Sequence, residues 1–393
     1  MTLPGGLRAL AARAYGWMPE RLASQLLPGR LRYDPPATPL AQSAGGNGIR
    51  LLVAPVNFAG QGHAWARAVE RNIAGSQAVS MAYRFPDLGF GFPVDVGIPP
   101  SAYALSKSWH RRQMAAIEAG FSHVLVEAGR APAGAPYRQS LAGQLTTLRE
   151  AGVRTAYLAH GTDVRVPSLH AVTHPDSPFR SGDHSALERQ ARSNIAIIQE
   201  LGMPAFISTP DLLEFLPDAV WLPVVVDPNR WATDRPVLAR RRPIVVHAPS
   251  SGPMKGSDAI DPVMVALDRE GLIEYRRVRG VTSADMPDLY RGADIVLEQF
   301  RIGGYGVAAC EAMAAGRVVI GHVAPEVREL ASEAARMAVP IVESTAASLE
   351  RVVRRVVRER DQFAALAATG PSFVRALHDG AASADALRAF LAT

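Results

Sequence analysis

The feature that most constrains this chain is an alternation of short apolar runs with longer helical stretches. The first run, residues 49–56, is apolar except for Arg50 near its start. An uninterrupted apolar run of strand length marks a strand buried on both faces. Similar runs follow at 123–127, 155–159, 205–208 and 220–226. A second series of strand-length segments begins after Pro236, at 244–247, 273–278 (which carries Glu274, Arg276 and Arg277), 294–297, 318–320 and 338–342. Helical patterns lie between them, as at 191–201, 307–315 and 349–360. Strands alternating with helices predict parallel α/β sheets. Two such series predict two doubly wound domains with a hinge around 227–236, and 393 residues are too many for one ordinary domain. We divide the chain into a basic arm and linker (1–46), an N-terminal domain (47–228), a C-terminal domain (229–375) and a last helix (376–393) crossing back to the first domain. Ligands of such folds bind at the carboxyl ends of the strands, so the cleft between the domains is the expected site.

Composition excludes several other classes. With 48% hydrophobic and 20% charged residues the chain can build real cores, which rules out a mostly disordered protein. No apolar run reaches the length of a membrane span, and residues 1–32 lack the apolar stretch of a signal peptide, so a cytoplasmic protein is expected. The single cysteine, Cys310, rules out an internal disulfide framework and a cysteine-based zinc cluster. The net charge of +5 is concentrated at the front, where residues 1–50 carry six arginines against two acidic residues. The remainder is close to neutral, so no nucleic-acid partner is expected. Residues 3–27, with Tyr15, Trp17 and spaced leucines, can form a helix. It either lies on anionic lipid, giving peripheral membrane contact through residues 1–32, or packs on the domain. Residues 28–48 read as a Pro- and Gly-rich linker.

Candidate functional residues sit where strands end. The first strand runs into Gly60, Gln61 and Gly62, a turn that suits close approach of an acceptor or a phosphate. Trp65 stands where a dinucleotide fingerprint needs glycine. His160 follows the 155–159 strand and faces the cleft. The histidines and aspartates from His170 to His184 read as a polar loop, and no metal site is expected. Lys255 ends a Gly/Pro/Ser loop that leaves the 244–247 strand, a placement suited to phosphate oxygens. It is one of only two lysines, beside Lys107, in a chain that otherwise uses arginine. The strongest signal is a strand, a glycine-rich turn and a helix. Backbone N–H groups at Gly304, Tyr305, Gly306 and Val307 can cradle a diphosphate at the helix start. Glu311 lies on that helix among small apolar residues and can accept two ribose hydroxyls.

At these residues the chain resembles the GT-B glycosyltransferases, especially the large retaining group called family 4. The matching pieces are His247-Ala248-Pro249 with Lys255-Gly256-Ser257, then residues 293–297, then Gly304-Tyr305-Gly306 with Glu311-Ala312-Met313-Ala314-Ala315-Gly316. The match covers the second half well. In the first half it is limited to Gly60–Gly62, His160 and Trp221-Leu222-Pro223. The resemblance implies two Rossmann-like domains facing a cleft, and a nucleotide-diphosphate sugar donor held mainly by the C-terminal domain. Glu311 would hold the ribose, Lys255 the diphosphate, and His160 the transferred sugar or the acceptor. It implies no cofactor and no metal, because protein groups stabilise the leaving diphosphate.

Two departures stand out. The family usually carries a glutamate by the donor sugar eight residues before the ribose glutamate, and that position is Gly303. Glu298 or Gln299 could substitute. Relatives also place an arginine shortly before the lysine, where this chain has residues 250–252. Arg279 or Arg301 could supply that second charge. The expected function is a retaining glycosyltransferase acting on a lipid-linked, polysaccharide or other acceptor. The alternatives are a catalytically silent sugar-nucleotide-binding protein, suggested by Gly303, and a sugar-nucleotide epimerase.

Overall fold

The computed structural model describes residues 19–84, 90–134, 140–249 and 252–392. Residues 1–18, which carry Tyr15 and Trp17, and Ser250 and Ser251 of the loop before Lys255 lie outside the described residues.

Two all-parallel sheets form. The first contains β1 (Arg50–Ala54), β2 (Gln77–Tyr83), β3 (Val96–Ile98), β4 (His123–Glu127), β5 (Arg154–Ala159), β6 (Ala205–Ile207) and β7 (Val220–Trp221). Their order is β3-β2-β1-β4-β5-β6-β7. The second contains β8 (Ile244–His247), β9 (Glu274–Arg277), β10 (Ile295–Leu297), β11 (Val318–Gly321) and β12 (Ile341–Glu343), ordered β12-β11-β10-β8-β9. The expected pair of doubly wound sheets is therefore present. β1, β4, β8, β10 and β11 are buried almost throughout, as their unbroken apolar runs require.

Two strands were not expected. β2 mixes Gln77 and Ser80 with its apolar residues, and β3 has only three residues with a central glycine. Such short, mixed sequences acquire strand geometry from the neighbour they pair with. The expected strand at 220–226 is shorter than its apolar run. It pairs with β6 only at Val220 and Trp221, because Pro223 has no N–H to continue the ladder.

The rest of that run, Leu222 to Val226, becomes the joint between the domains. Helix α1 (Gln61–Asn72) clamps it from one side. The Gln61 carboxamide donates to Val225 O (3.0 Å) and accepts from Val225 N (2.6 Å), and Trp65 Nε1 donates to Pro223 O (2.8 Å). The last helix clamps it from the other. Ser383 Oγ donates to Pro223 O (2.8 Å), and buried His378 bonds Val224 O through Nδ1 (2.9 Å). Burial holds His378 down to about 4, so the ring is neutral and its Nε2 accepts from Tyr305 OH (3.1 Å). The helix Ala381–Ala392 packs on α1, with Phe390 edge-on to His123.

The segment expected as a linker is packed rather than free. Trp109 Nε1 donates to Pro39 O (2.7 Å), and Ala41 N donates to Gln113 Oε1 (2.9 Å). Glu20 accepts from Ser108 N (3.0 Å) and its hydroxyl (3.0 Å) at the start of the helix Lys107–Gly120.

The second domain is organised by a fully buried carboxylate, Asp294. It accepts from Leu238 N (2.8 Å), Ile244 N (2.9 Å) and Arg240 Nη1 (3.0 Å). It thereby fastens the hinge to the starts of β8 and β10. Asp294→Ala orphans two buried amides and a guanidinium contact. We expect a loss of about 3 kcal/mol, read as a lowered urea midpoint of the C-terminal domain. A midpoint unchanged from the parent would refute that role.

Candidate functional site

The carboxyl edges of the two sheets face one cleft of about 1410 Å³. On the C-terminal side, β10 delivers Glu298 and β8 delivers the loop that ends at Lys255. Lys255 Nζ pairs with Glu298 Oε1 at 2.9 Å. Glu298 is almost fully buried, and its second oxygen, Oε2, has no hydrogen-bond partner among the described residues. Gly306 caps helix α2 (Val307–Ala314), and, having no side chain, makes no cap hydrogen bond to its first N–H groups. Gly304, Tyr305, Gly306 and Val307 all line the cleft, although Tyr305 turns its ring inward against Phe373 and His378.

Glu311 lies one turn into α2 and also lines the cleft. It is half-buried, and its carboxylate makes no hydrogen bond or ion pair among the described residues. Desolvation pushes its carboxyl up to about 8. Arg230 and Lys255 pull against this shift, and Glu298 adds to it.

Arg279 is exposed and lines the cleft, so it is one of the two expected cations that reaches the site. The other, Arg301, is engaged elsewhere. Its guanidinium bonds Asp258 (2.8 Å) and Pro253 O (3.2 Å), and it braces the Lys255 turn from behind. Gly303 has φ of +72°, and a Cβ there would lie 3.1 Å from that of Ala324. A side chain at this position would crowd Ala324 and sit in a left-handed backbone conformation that favours glycine.

On the N-terminal side the loop after β1 is held in an unusual shape. Asn57 and Ala59 take left-handed backbone conformations. Gly60 has φ of +75°, with Phe92 close above it. Gln61 is spent on the domain joint, and Gly62 leaves room for a buried carboxylate, Glu127, at the end of β4. Glu127 Oε2 accepts from Val56 N and Asn57 N, both at 3.1 Å, and its Oε1 meets His160 Nε2 at 3.2 Å. His160 lines the cleft beside Phe58 and Trp65. Its loop is tied by Asp163, which accepts from His160 N (3.0 Å), Gly161 N (2.7 Å) and Tyr157 OH (3.0 Å).

The domains also meet across the cleft. Arg165 and Asp211 form a buried ion pair, and Asp211 presses against Gly304, where no side chain would fit. Ser283 donates from its N (2.6 Å) and Oγ (3.0 Å) to the carbonyls of Phe90 and Gly91. His170 stacks on His174, and His174 meets Glu214 at 2.9 Å. Among the described residues, no group of three or more His, Cys, Asp or Glu side chains is arranged to hold a metal ion.

Sequence reasoning found His160, Lys255, Glu311 and the glycine turn, and the fold brings all of them to one cleft. It missed Glu127, Arg165 and Asp211. Glu127 carried a weak signal, as the lone acid closing an otherwise apolar strand run. The other two lie in loops with no motif.

No protein-family model matches the chain, and no curated protein matches it. Solved structures do. HepE from Anabaena in complex with UDP-glucose aligns with a TM-score of 0.58 at 12% identity, over 88% of this chain and 100% of that one. Sucrose-phosphate synthase from Thermosynechococcus elongatus gives 0.55 at 12% identity, with coverage of 88% and 100%. WaaG, a glycosyltransferase involved in lipopolysaccharide biosynthesis, gives 0.51 at 13% identity, with coverage of 87% and 99%. Such identities carry the architecture alone. With two parallel sheets whose carboxyl edges face one cleft, and with whole-length alignment to these structures, the chain has the GT-B fold.

Proposed function

We propose that this protein is a glycosyltransferase that moves a sugar from a nucleotide-diphosphate sugar to an acceptor with retention of anomeric configuration. The observation that carries the reading is the convergence of Lys255, the uncapped start of α2 and Glu311 on one wall of the interdomain cleft. A cation, free amides and a carboxylate are the groups that a diphosphate and a ribose need. The alignment with a UDP-glucose complex of the same fold supports it.

In this reading the diphosphate binds between Lys255 and the amides of Gly304 to Val307, with Arg279 adding charge from the open side. Glu311 accepts the ribose hydroxyls. His160 meets the sugar or the acceptor from the opposite domain. Protein cations take the role of a metal, and the donor is a co-substrate rather than a cofactor. The acceptor, lipid-linked or polysaccharide, enters from the N-terminal side, and the enzyme works in the cytoplasm. Incubation with UDP, GDP, ADP and dTDP sugars tests the activity, with product anomers read by NMR. Donor hydrolysis or transfer supports a transferase, and an epimerised donor supports an epimerase. Binding of every donor without turnover favours the silent binder that Gly303 suggests.

Lys255→Ala should weaken nucleoside diphosphates by roughly 1.5–3 kcal/mol and the nucleoside far less, the scale of one hydrogen bond to a charged group. Equal losses in calorimetry would remove Lys255 from the phosphate.

Glu311 predicts a proton signature. Burial raises its carboxyl to about 8. Two ribose O–H donors favour the ionised form, so binding lowers this value and releases a proton at pH 7. The binding enthalpy should therefore differ between phosphate and Tris buffers. The difference should vanish with a 2′-deoxyribose donor and in Glu311→Gln. A buffer-independent enthalpy in the parent protein would place Glu311 away from the ribose.

No described helix is long and apolar enough to cross a membrane. Glu20 and Pro39 are held against the first domain, while Leu22 and Leu26 stay exposed, so residues 1–32 remain the segment proposed to touch anionic lipid. The full chain should co-sediment with anionic vesicles at low salt, and a chain beginning at Asn47 should not. Equal sedimentation would end the membrane reading.

A further inference from the structure

Glu127 is fully buried, yet its carboxylate is placed among donors. A buried charge is tolerated only where hydrogen bonds replace water. Here Val56 N and Asn57 N supply two, both to Oε2, and His160 Nε2 faces Oε1 at 3.2 Å. Gly62 makes the arrangement possible, since a Cβ there would lie 3.1 and 3.2 Å from the two carboxylate oxygens. The His160 ring is fixed as well. Phe58 meets it edge-on at 5.2 Å and Trp65 lies at 5.6 Å. Its backbone N–H is tied to Asp163.

A carboxylate can only accept, so the proton of a neutral His160 must sit on Nε2. Nδ1 then carries the lone pair, and among the described residues nothing donates to it. We propose that Glu127 is a positioning residue that fixes this tautomer, so that His160 Nδ1 accepts a hydrogen bond from a hydroxyl of the bound sugar or acceptor. The proposal rests on reading the cleft as a sugar-transfer site. Glu127 itself touches no substrate, because it sits beneath the His160 ring and the Gly62 turn.

Glu127→Gln separates this role from simple packing. The N–H groups of Val56 and Asn57 still need an acceptor, so the amide oxygen turns to them. The NH₂ group then faces His160 Nε2, which must accept, and the ring proton moves to Nδ1. Size and shape stay the same while Nδ1 changes from acceptor to donor.

The test is histidine-selective ¹⁵N NMR on the full chain, together with turnover of UDP-glucose. The parent should show the Nε2–H form at His160, and Glu127→Gln the Nδ1–H form. Turnover in Glu127→Gln should fall on the order of 10-fold, the scale of one lost hydrogen bond to the substrate. His160→Gln keeps an amide near Glu127 and removes Nδ1, so it should lose a similar factor. The double variant should lose no more than either single one. An Nδ1–H ring in the parent protein overturns the proposal, as does full turnover in Glu127→Gln or multiplicative losses in the double variant. If Glu127→Gln does not fold, the parent tautomer and His160→Gln decide. If UDP-glucose and the other sugar nucleotides are not turned over, the transfer reading falls, and the tautomer readout still decides the part played by Glu127.

Discussion

Everything in the cleft depends on how residues 222–226 are held. Parallel sheets gather their carboxyl ends on one edge, and two such edges make a site only if they face each other. The joint enforces this with hydrogen bonds from α1 and from the returning C-terminal segment onto one short extended stretch. Gln61 takes both backbone groups of Val225, while Trp65 and Ser383 share Pro223 O. His378 links Val224 to Tyr305, whose backbone belongs to the glycine turn. A neutral, fully buried histidine costs little there because both of its nitrogens are satisfied. The two walls of the cleft therefore share one hydrogen-bonded hub.

The charges lining the cleft are largely paired within the protein. Lys255 leans on Glu298, and Arg165 on Asp211. Each pair keeps a cation desolvated without leaving it bare. Among the described residues, one buried atom of the first pair, Glu298 Oε2, and two of the second, Asp211 Oδ1 and Arg165 Nε, have no partner. Such orphans carry a standing cost, which a polar ligand or a relative movement of the domains relieves. Asp211 against Gly304 makes the second pair a contact between the domains, so opening the cleft would uncover it. The raised carboxyl of Glu311 belongs to the same pattern, since burial desolvates it and Glu298 adds to the shift.

The amino-acid sequence by itself determined the parts that local pattern encodes. Unbroken apolar runs became the buried strands, and Gly-rich turns between strand and helix became the cleft lining at Gly304 to Val307. Lys255, His160 and Glu311 were legible because each follows a strand end or sits on the helix after one, which fixes the edge they reach. Tertiary structure decided the rest. Glu127 meets His160 across 33 positions of sequence, and Asp211 meets Arg165 across 46. Gln61 reads as part of a ligand turn, but its carboxamide is claimed by Val225, 164 positions away. Arg279 and Arg301 look equivalent in sequence, and only packing sends one to the cleft and the other behind the Lys255 turn. Strand and helix propensities act over a few neighbours. The partner of a buried charge is chosen by which surfaces close on it, and that choice exists only once both domains are folded.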